Sequence, residues 1–297
     1  MTSYEVPLDY SALKGKTILL TGCATGIGRA TAKFAFENGA NLALADYNDK
    51  DANELVKELN DSSRVLFRKL DVTDWSALRA FFEDAMEKFG TIHTVLSNAG
   101  MHNENLLAES FDSAGKLEAP SMRCLDINLT AHFYVTKLAL YHFKAGPSSN
   151  HQIVYTASAA SYIETPPLYQ YGAAKSGLLG LMRALRPVTQ RWNVTVNIVT
   201  PWMTLTPMMP SAIQAIWGDL PTNSGLGIGK TLLLPAIRED LHGKAFWVGG
   251  DEITELEDKI RETQPLWMGA ELSAGVDEGS RRMLAVTVDQ DKYIKPE

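Results

Sequence analysis

Apolar residues in this chain come in short unbroken runs separated by stretches of helical period. KTILLT (16–21), NLALAD (41–46), RVLFRKLD (64–71), TIHTVLSN (91–98), QIVYTAS (152–158) and VTVNIVT (194–200) read as strands, most of them without a polar face. Helical segments lie between them at 27–38, 50–60, 74–89, 121–145 and 168–186, the first stopping at Asn38-Gly39. This alternation predicts βαβ units with right-handed crossovers. The rhythm breaks after Pro201, where 202–228 shows no period and reads as a long loop. A helix at 229–239, a strand at 244–248, a helix at 252–263 and a weakly patterned tail at 264–297 follow. The fold class is α/β: a doubly wound parallel sheet of about seven strands, helices on both faces, in a single domain.

Composition narrows the function without naming it. Of 297 residues, 45% are hydrophobic and 21% charged, as in an ordinary globular chain. The net charge of −7 argues against nucleic acid or an anionic membrane as the main partner. The two cysteines, Cys23 and Cys124, support no disulfide framework, and the six scattered histidines no metal site, so no metal is expected. The start, MTSYEVPLDY, lacks a secretory pattern, and no run approaches a membrane span; a cytoplasmic protein is expected.

The first strand runs into Thr21-Gly22-Cys23-Ala24-Thr25-Gly26-Ile27-Gly28 and then a helix. Glycines there let the backbone approach a pyrophosphate, and the helix N-terminus offers free N–H groups. The bland alternative is a plain βα turn. Asp46 ends the second strand, where a carboxylate accepts hydrogen bonds from ribose hydroxyls and repels a 2′-phosphate. No basic residue follows it, only Tyr47, Asn48 and Asp49, which favours NAD over NADP. Asp71-Val72 ends the third strand and is placed to bind the adenine edge, or Thr73 or Asp74 to cap the next helix.

Tyr171 and Lys175 are four apart on one helix face, and Ser158 ends the preceding strand. A secondary alcohol must lose a proton while a hydride leaves for nicotinamide. A free tyrosine is a poor base at neutral pH, but a neighbouring ammonium favours the phenolate. Tyr10 and Lys14 have the same spacing without that context and read as surface residues.

Taken together these motifs resemble the short-chain dehydrogenase/reductase family, whose fold is of the Rossmann type. Gly22, Thr25, Gly26, Ile27 and Gly28 match its cofactor turn, and Asn98-Ala99-Gly100 its motif after the fourth strand. Asn128, Ser158, Tyr171 and Lys175 match its catalytic residues. The resemblance implies that Asn128 supports a water-linked relay from Lys175, and that Lys175 also holds the nicotinamide ribose. Pro201, Thr204 and Thr206 match the segment that contacts the carboxamide. Within the family the chain is most similar to the NAD-dependent subgroup containing 15-hydroxyprostaglandin dehydrogenase and the insect-type and fungal alcohol dehydrogenases. The resemblance covers residues 14–250, leaving an arm at 1–13 and an extension at 251–297. It implies a homodimer or homotetramer packed through the helices at 121–145 and 168–186.

Two positions depart from the family: Trp202 replaces the usual glycine, and Pro187 should kink or end its helix near Arg186. Trp202, Met203, Met208 and Trp217 are candidate substrate contacts in the loop 202–228, whose segment 202–217 reads as a lid, with core packing and an interface as the alternative. Ser224–Thr231 approximates a phosphate loop but reads as a hinge before a helix. Cys23 is either a reactive thiol or packing beneath the cofactor. The function expected is an NAD-dependent dehydrogenase of an apolar secondary alcohol or ketone such as a steroid, terpenoid, polyketide or lipid alcohol. The rival is a non-redox protein of this fold that binds the cofactor for a structural or a different catalytic role.

Overall fold

A computed structural model describes residues 8–145 and 150–287. Eight strands form one sheet in the order β3-β2-β1-β4-β5-β6-β7-β8. They are β1 Thr17–Thr21, β2 Asn41–Asp46, β3 Val65–Lys69, β4 Thr94–Ser97, β5 His151–Thr156, β6 Val194–Pro201, β7 Ala245–Gly249 and β8 Glu252–Glu255. The first seven are parallel, and β8 runs antiparallel at the edge. Every residue of β1, β4, β5 and β6 is buried, which is why these runs carry no polar alternation.

Helices α1 Gly26–Glu37, α2 Asp49–Leu59 and α8 Gly225–Ile237 cover one face, packing Ala32, Leu55 and Leu232 with Ile18 and Leu20. Helices α3 Trp75–Phe89, α5 Ala131–Ala145 and α6 Tyr169–Thr189 cover the other, packing Phe82, Val135 and Leu178 with Leu19 and Ile153. Strand order reverses between β1 and β4, so their carboxyl ends open a crevice at that switch point. Asn60 and Asn193 adopt positive φ at helix ends, a conformation asparagine tolerates.

Several expectations need correction. The long segment 121–145 is not one regular helix: α4 Arg123–Leu125 leads into a π-type segment Asp126–Thr130 and then α5. Pro187 does not end α6, which continues to Thr189. In its last turns Arg183 and Arg186 pair with the buried Glu257 at 2.7 and 3.0 Å, and His242 meets the Arg186 carbonyl at 2.6 Å. These tertiary bonds outweigh one missing donor. The segment at 252–263 opens as strand β8 before α9 Glu257–Glu262, because β7 offers an unpaired edge that only the folded sheet supplies.

The loop 202–228 contains a short helix, α7 Ser211–Trp217, and the start of α8. The described part of the tail forms α10 Gln264–Met268 and α11 Ala270–Thr287; residues 288–297 lie outside the described residues, as do 1–7 of the N-terminal arm. Little period marks α11 because, among its described side chains, it buries only Ser273 and exposes Leu272 and Val286. Tyr10 is no bare surface residue: its ring meets Phe34 edge-on, and its hydroxyl donates to the Lys230 carbonyl.

Candidate active site

A cavity of about 560 Å³ opens over the switch point. Its walls include Gly22, Thr25, Gly26, Ile27 and Gly28 from the turn after β1, Asp46 from β2 and Asp71-Val72 after β3. Asn98-Ala99-Gly100 after β4, with Thr206 and Met208 from the long loop, complete the predicted set that lines it.

The glycine turn is held by long-range bonds. Asn98 donates its Nδ2 to the carbonyls of Thr21 and Gly22 at 3.1 and 3.0 Å, and accepts from Thr156 Oγ1 at 2.9 Å. One side chain thus ties together the ends of β1, β4 and β5. Gly22 has φ +75°, and a Cβ at Gly28 would lie 1.8 Å from the Gly22 carbonyl oxygen. The turn therefore lets backbone approach backbone where any other residue would block it. Thr25, the N-cap of α1, makes no side-chain capping bond, which leaves first-turn amides for an anionic ligand. Gly28→Ala is expected to destabilise the fold by about 1–3 kcal/mol as an overpacked site; urea unfolding at neutral pH checks it.

Asp46 is buried, and its two oxygens accept from the amides of Ala24 (2.8 Å) and Asn48 (2.9 Å). Burial raises its carboxyl above the usual range, with these amide bonds opposing. Lone pairs remain for a diol at the cavity wall. Cys23, fully buried beneath the turn, has its thiol pushed up by burial, which fits packing and not reactivity.

Lys175 is buried, and its Nζ donates to the Thr156 carbonyl at 2.8 Å and lies 5.4 Å from the Tyr171 ring centroid. Burial lowers its ammonium to about 8. Burial raises the Tyr171 hydroxyl, while its hydrogen bond with Ser158 works the other way. Ser158 caps the short turn Ala159–Ser161 after β5, accepting from the Ala160 amide at 3.2 Å. Strand end and helix therefore bring Ser158, Tyr171 and Lys175 together.

Asn128 sits in the π-type segment. Its Nδ2 donates to the Cys124 carbonyl at 2.9 Å, the position its own backbone N–H would take in a regular helix. The same nitrogen reaches the Met101 carbonyl (2.7 Å), and Oδ1 accepts from the Met101 amide (3.2 Å). A Cβ on Gly100 would lie 2.9 Å from Asn128 Oδ1 and 3.6 Å from Lys175 Nζ, so both side chains lie close behind Gly100 in the cavity wall.

Pro201 ends β6, and Thr204 turns inward to donate to the Trp202 carbonyl at 2.9 Å. Met208 lines the cavity and Met203 is buried in the core. Trp202 packs edge-on against Trp217 at 5.3 Å and tilted against Trp247 at 6.1 Å, and neither Trp202 nor Trp217 is among the cavity-lining residues. The phosphate-loop-like Ser224–Thr231 is no hinge but the first turns of α8. Asp251 already occupies that helix start, accepting from the Ser224 amide (2.8 Å) and hydroxyl (2.7 Å).

Three contributing residues carry no sequence signal. Glu104, in a patternless loop, accepts from the amides of Gln170 (2.8 Å) and Tyr171 (3.1 Å), capping the helix that bears the tyrosine. Arg123 lines the cavity and pairs with Asp71. His132 lies buried beneath the site, its Nδ1 2.7 Å from Ser97 Oγ and its Nε2 3.2 Å from the Ala99 carbonyl. A carbonyl only accepts, so Nε2 carries the proton and Nδ1 accepts from Ser97.

Burial holds His132 down at about 3. Between an unfolded value near ~6.5 and that folded value, only the unfolded chain takes up this proton. Stability should therefore fall as pH drops through that window, by up to about 1.4 kcal/mol per pH unit. His132→Asn is expected to flatten this dependence in urea unfolding measured between pH 7.5 and 4.5.

Among the described residues no group of His, Cys, Asp and Glu is arranged to hold a metal, and no helix is long and apolar enough to cross a membrane. The family model described as short chain dehydrogenase matches residues 16–216. The short-chain dehydrogenase/reductase prx4 of Penicillium rubens is 32% identical, covering 91% of this chain and 85% of its own. The 5'-hydroxyaverantin dehydrogenase of Dothistroma septosporum is 27% identical, covering 92% and 95%. A crystal structure of a short-chain dehydrogenase/reductase from Brucella melitensis, described as a glucose/ribitol dehydrogenase, superposes with TM-score 0.70 at 26% identity, covering 80% of this chain and 97% of that one.

Proposed function

Because the chain belongs to the short-chain dehydrogenase family and is an oxidoreductase, we propose that it interconverts an apolar secondary alcohol and its ketone, with NAD as the hydride acceptor. The observation that carries this reading is the meeting of Ser158 with Tyr171 and of Tyr171 with Lys175, with Lys175 and Asn128 both close behind Gly100 in the wall of a cavity edged by Asp46. The residues present fit a dinucleotide: a cradle that a single Cβ would fill, open amides at the start of α1, and a carboxylate placed for a ribose diol. Bound NAD would supply the nicotinamide ring that accepts the hydride.

In this reading the Tyr171 oxygen takes the alcohol proton, and Ser158 hydrogen-bonds the substrate oxygen. Lys175, cationic below about 8, stabilises the phenolate and would hold the nicotinamide ribose. Asn128 supports a water-linked relay that returns the proton to solvent. Glu104 fixes the first turn of α6 and so the position of Tyr171. In the reductive direction the same groups act in reverse. Asp46, with no cation beside it in the turn, favours NAD over NADP.

The cofactor-binding unit is assigned to 14–250, with the segment 202–228 as a substrate cover. Support for the cover comes from Met208 in the cavity wall and from the Trp202–Trp217 contact that anchors α7. Apolar substrates of secondary metabolism fit these side chains and the chain's similarity to a 5'-hydroxyaverantin dehydrogenase. Exposed Phe133 and Tyr141 on α5 support a homodimer or homotetramer packed through α5 and α6, which light scattering would detect. The function itself is tested by following NADH formation with a panel of hydrophobic secondary alcohols. Turnover with NAD is expected; tighter binding of NADPH than NADH would overturn the role given to Asp46.

A further inference from the structure

We propose that Arg123 is a cofactor-binding residue that, together with Asp71, reads the edge of the adenine base; this rests on the dinucleotide reading above. The two side chains come from places 52 residues apart and both line the cavity. Arg123 Nη2 donates to Asp71 Oδ2, and Nη1 donates to Thr73 Oγ1 at 2.8 Å. Thr73 in turn donates its amide (2.9 Å) and hydroxyl (2.7 Å) to Asp71 Oδ1. The guanidinium is thus anchored at two points, which fixes its plane as well as its position.

A carboxylate has about four acceptor sites and a guanidinium five N–H donors. Thr73 fills both sites on Oδ1, and Arg123 fills one on Oδ2. One acceptor is left on Asp71, beside donors of Arg123 that these bonds do not use. An acceptor next to a donor in one rigid unit is the complement of adenine, whose exocyclic amine donates next to a ring nitrogen that accepts. Asp71 alone would read only the amine; Arg123 adds the ring nitrogen. Both side chains remain partly exposed, at 45% and 41%, so the edge is reachable from the cavity.

Hypoxanthine carries a carbonyl in place of the amine and a ring N–H in place of one acceptor, so it mismatches this edge. The test is fluorescence titration of the full chain with NADH and with reduced nicotinamide hypoxanthine dinucleotide. Wild type is expected to prefer NADH by about tenfold, the scale of one bidentate base contact. Arg123→Met should cut that preference to about threefold or less, with the loss falling on NADH. Any general effect on folding or on pyrophosphate attraction alters both ligands alike and cancels in the ratio. Arg123→Lys, which keeps the charge but not the fork, should give an intermediate ratio and covers the case in which the methionine variant fails to fold. An unchanged ratio in these variants overturns the role of Arg123. A wild type that binds neither ligand overturns the dinucleotide reading itself.

Discussion

Tyr171→Phe is expected to lower kcat by about 10²–10⁴-fold, the contribution of a positioned acid–base group, while leaving NADH binding near wild type. The phenyl ring keeps its place on α6, and Lys175 keeps its bond to the Thr156 carbonyl. Only the oxygen proposed to exchange a proton with substrate is removed. The measurement is NADH formation with an alcohol accepted by the wild type, alongside a binding titration. Wild-type turnover in this variant would show that another group moves the proton. The pairing of a tyrosine raised by burial with a lysine lowered to about 8 gives the site its logic. Burial disfavours the charged form of both groups, but Lys175 stays cationic below about 8, and its charge beside the ring favours the phenolate that burial opposes.

The second large effect is at Asp46. Asp46→Asn is expected to weaken NADH binding by about 10–100-fold, from loss of charged hydrogen bonds to the ribose, and to leave NADPH binding little changed or improved. The asparagine has the same shape, but its one oxygen accepts from only one of the amides of Ala24 and Asn48, and its Nδ2 faces the other, a cost to the turn that both cofactors share. Titration of both cofactors against both proteins gives the ratio. If the two cofactors weaken in parallel, the carboxylate is serving the turn and not the ribose.

Much of the fold was legible because its signals are local. The runs at 16–21, 41–46 and 194–200 match β1, β2 and β6 within about a residue, since strands buried on both faces leave unbroken apolar sequence. Asp46 and the glycine turn were legible because a parallel sheet places strand ends at its crevice. The reading failed where context decided the outcome. Strand β8 exists because β7 presents an edge, and α6 passes Pro187 because Glu257 and His242 hold its last turns. The tail helices α10 and α11 bury too little to imprint a period.

Local sequence alone set the βαβ order, the position of the glycine turn and the facing pair Tyr171 and Lys175. Those follow from backbone periodicity and from spacings of a few residues. The company these groups keep was left to the folded chain. Glu104 caps α6 across 66 residues, Arg123 reaches Asp71 across 52, and His132 reaches Ser97 across 35. Even the inward turn of Asn128 depends on its bonds to Met101, in a separate loop. Such partners are selected by charge, hydrogen bonding and burial after the chain has collapsed, and those forces leave no period along it.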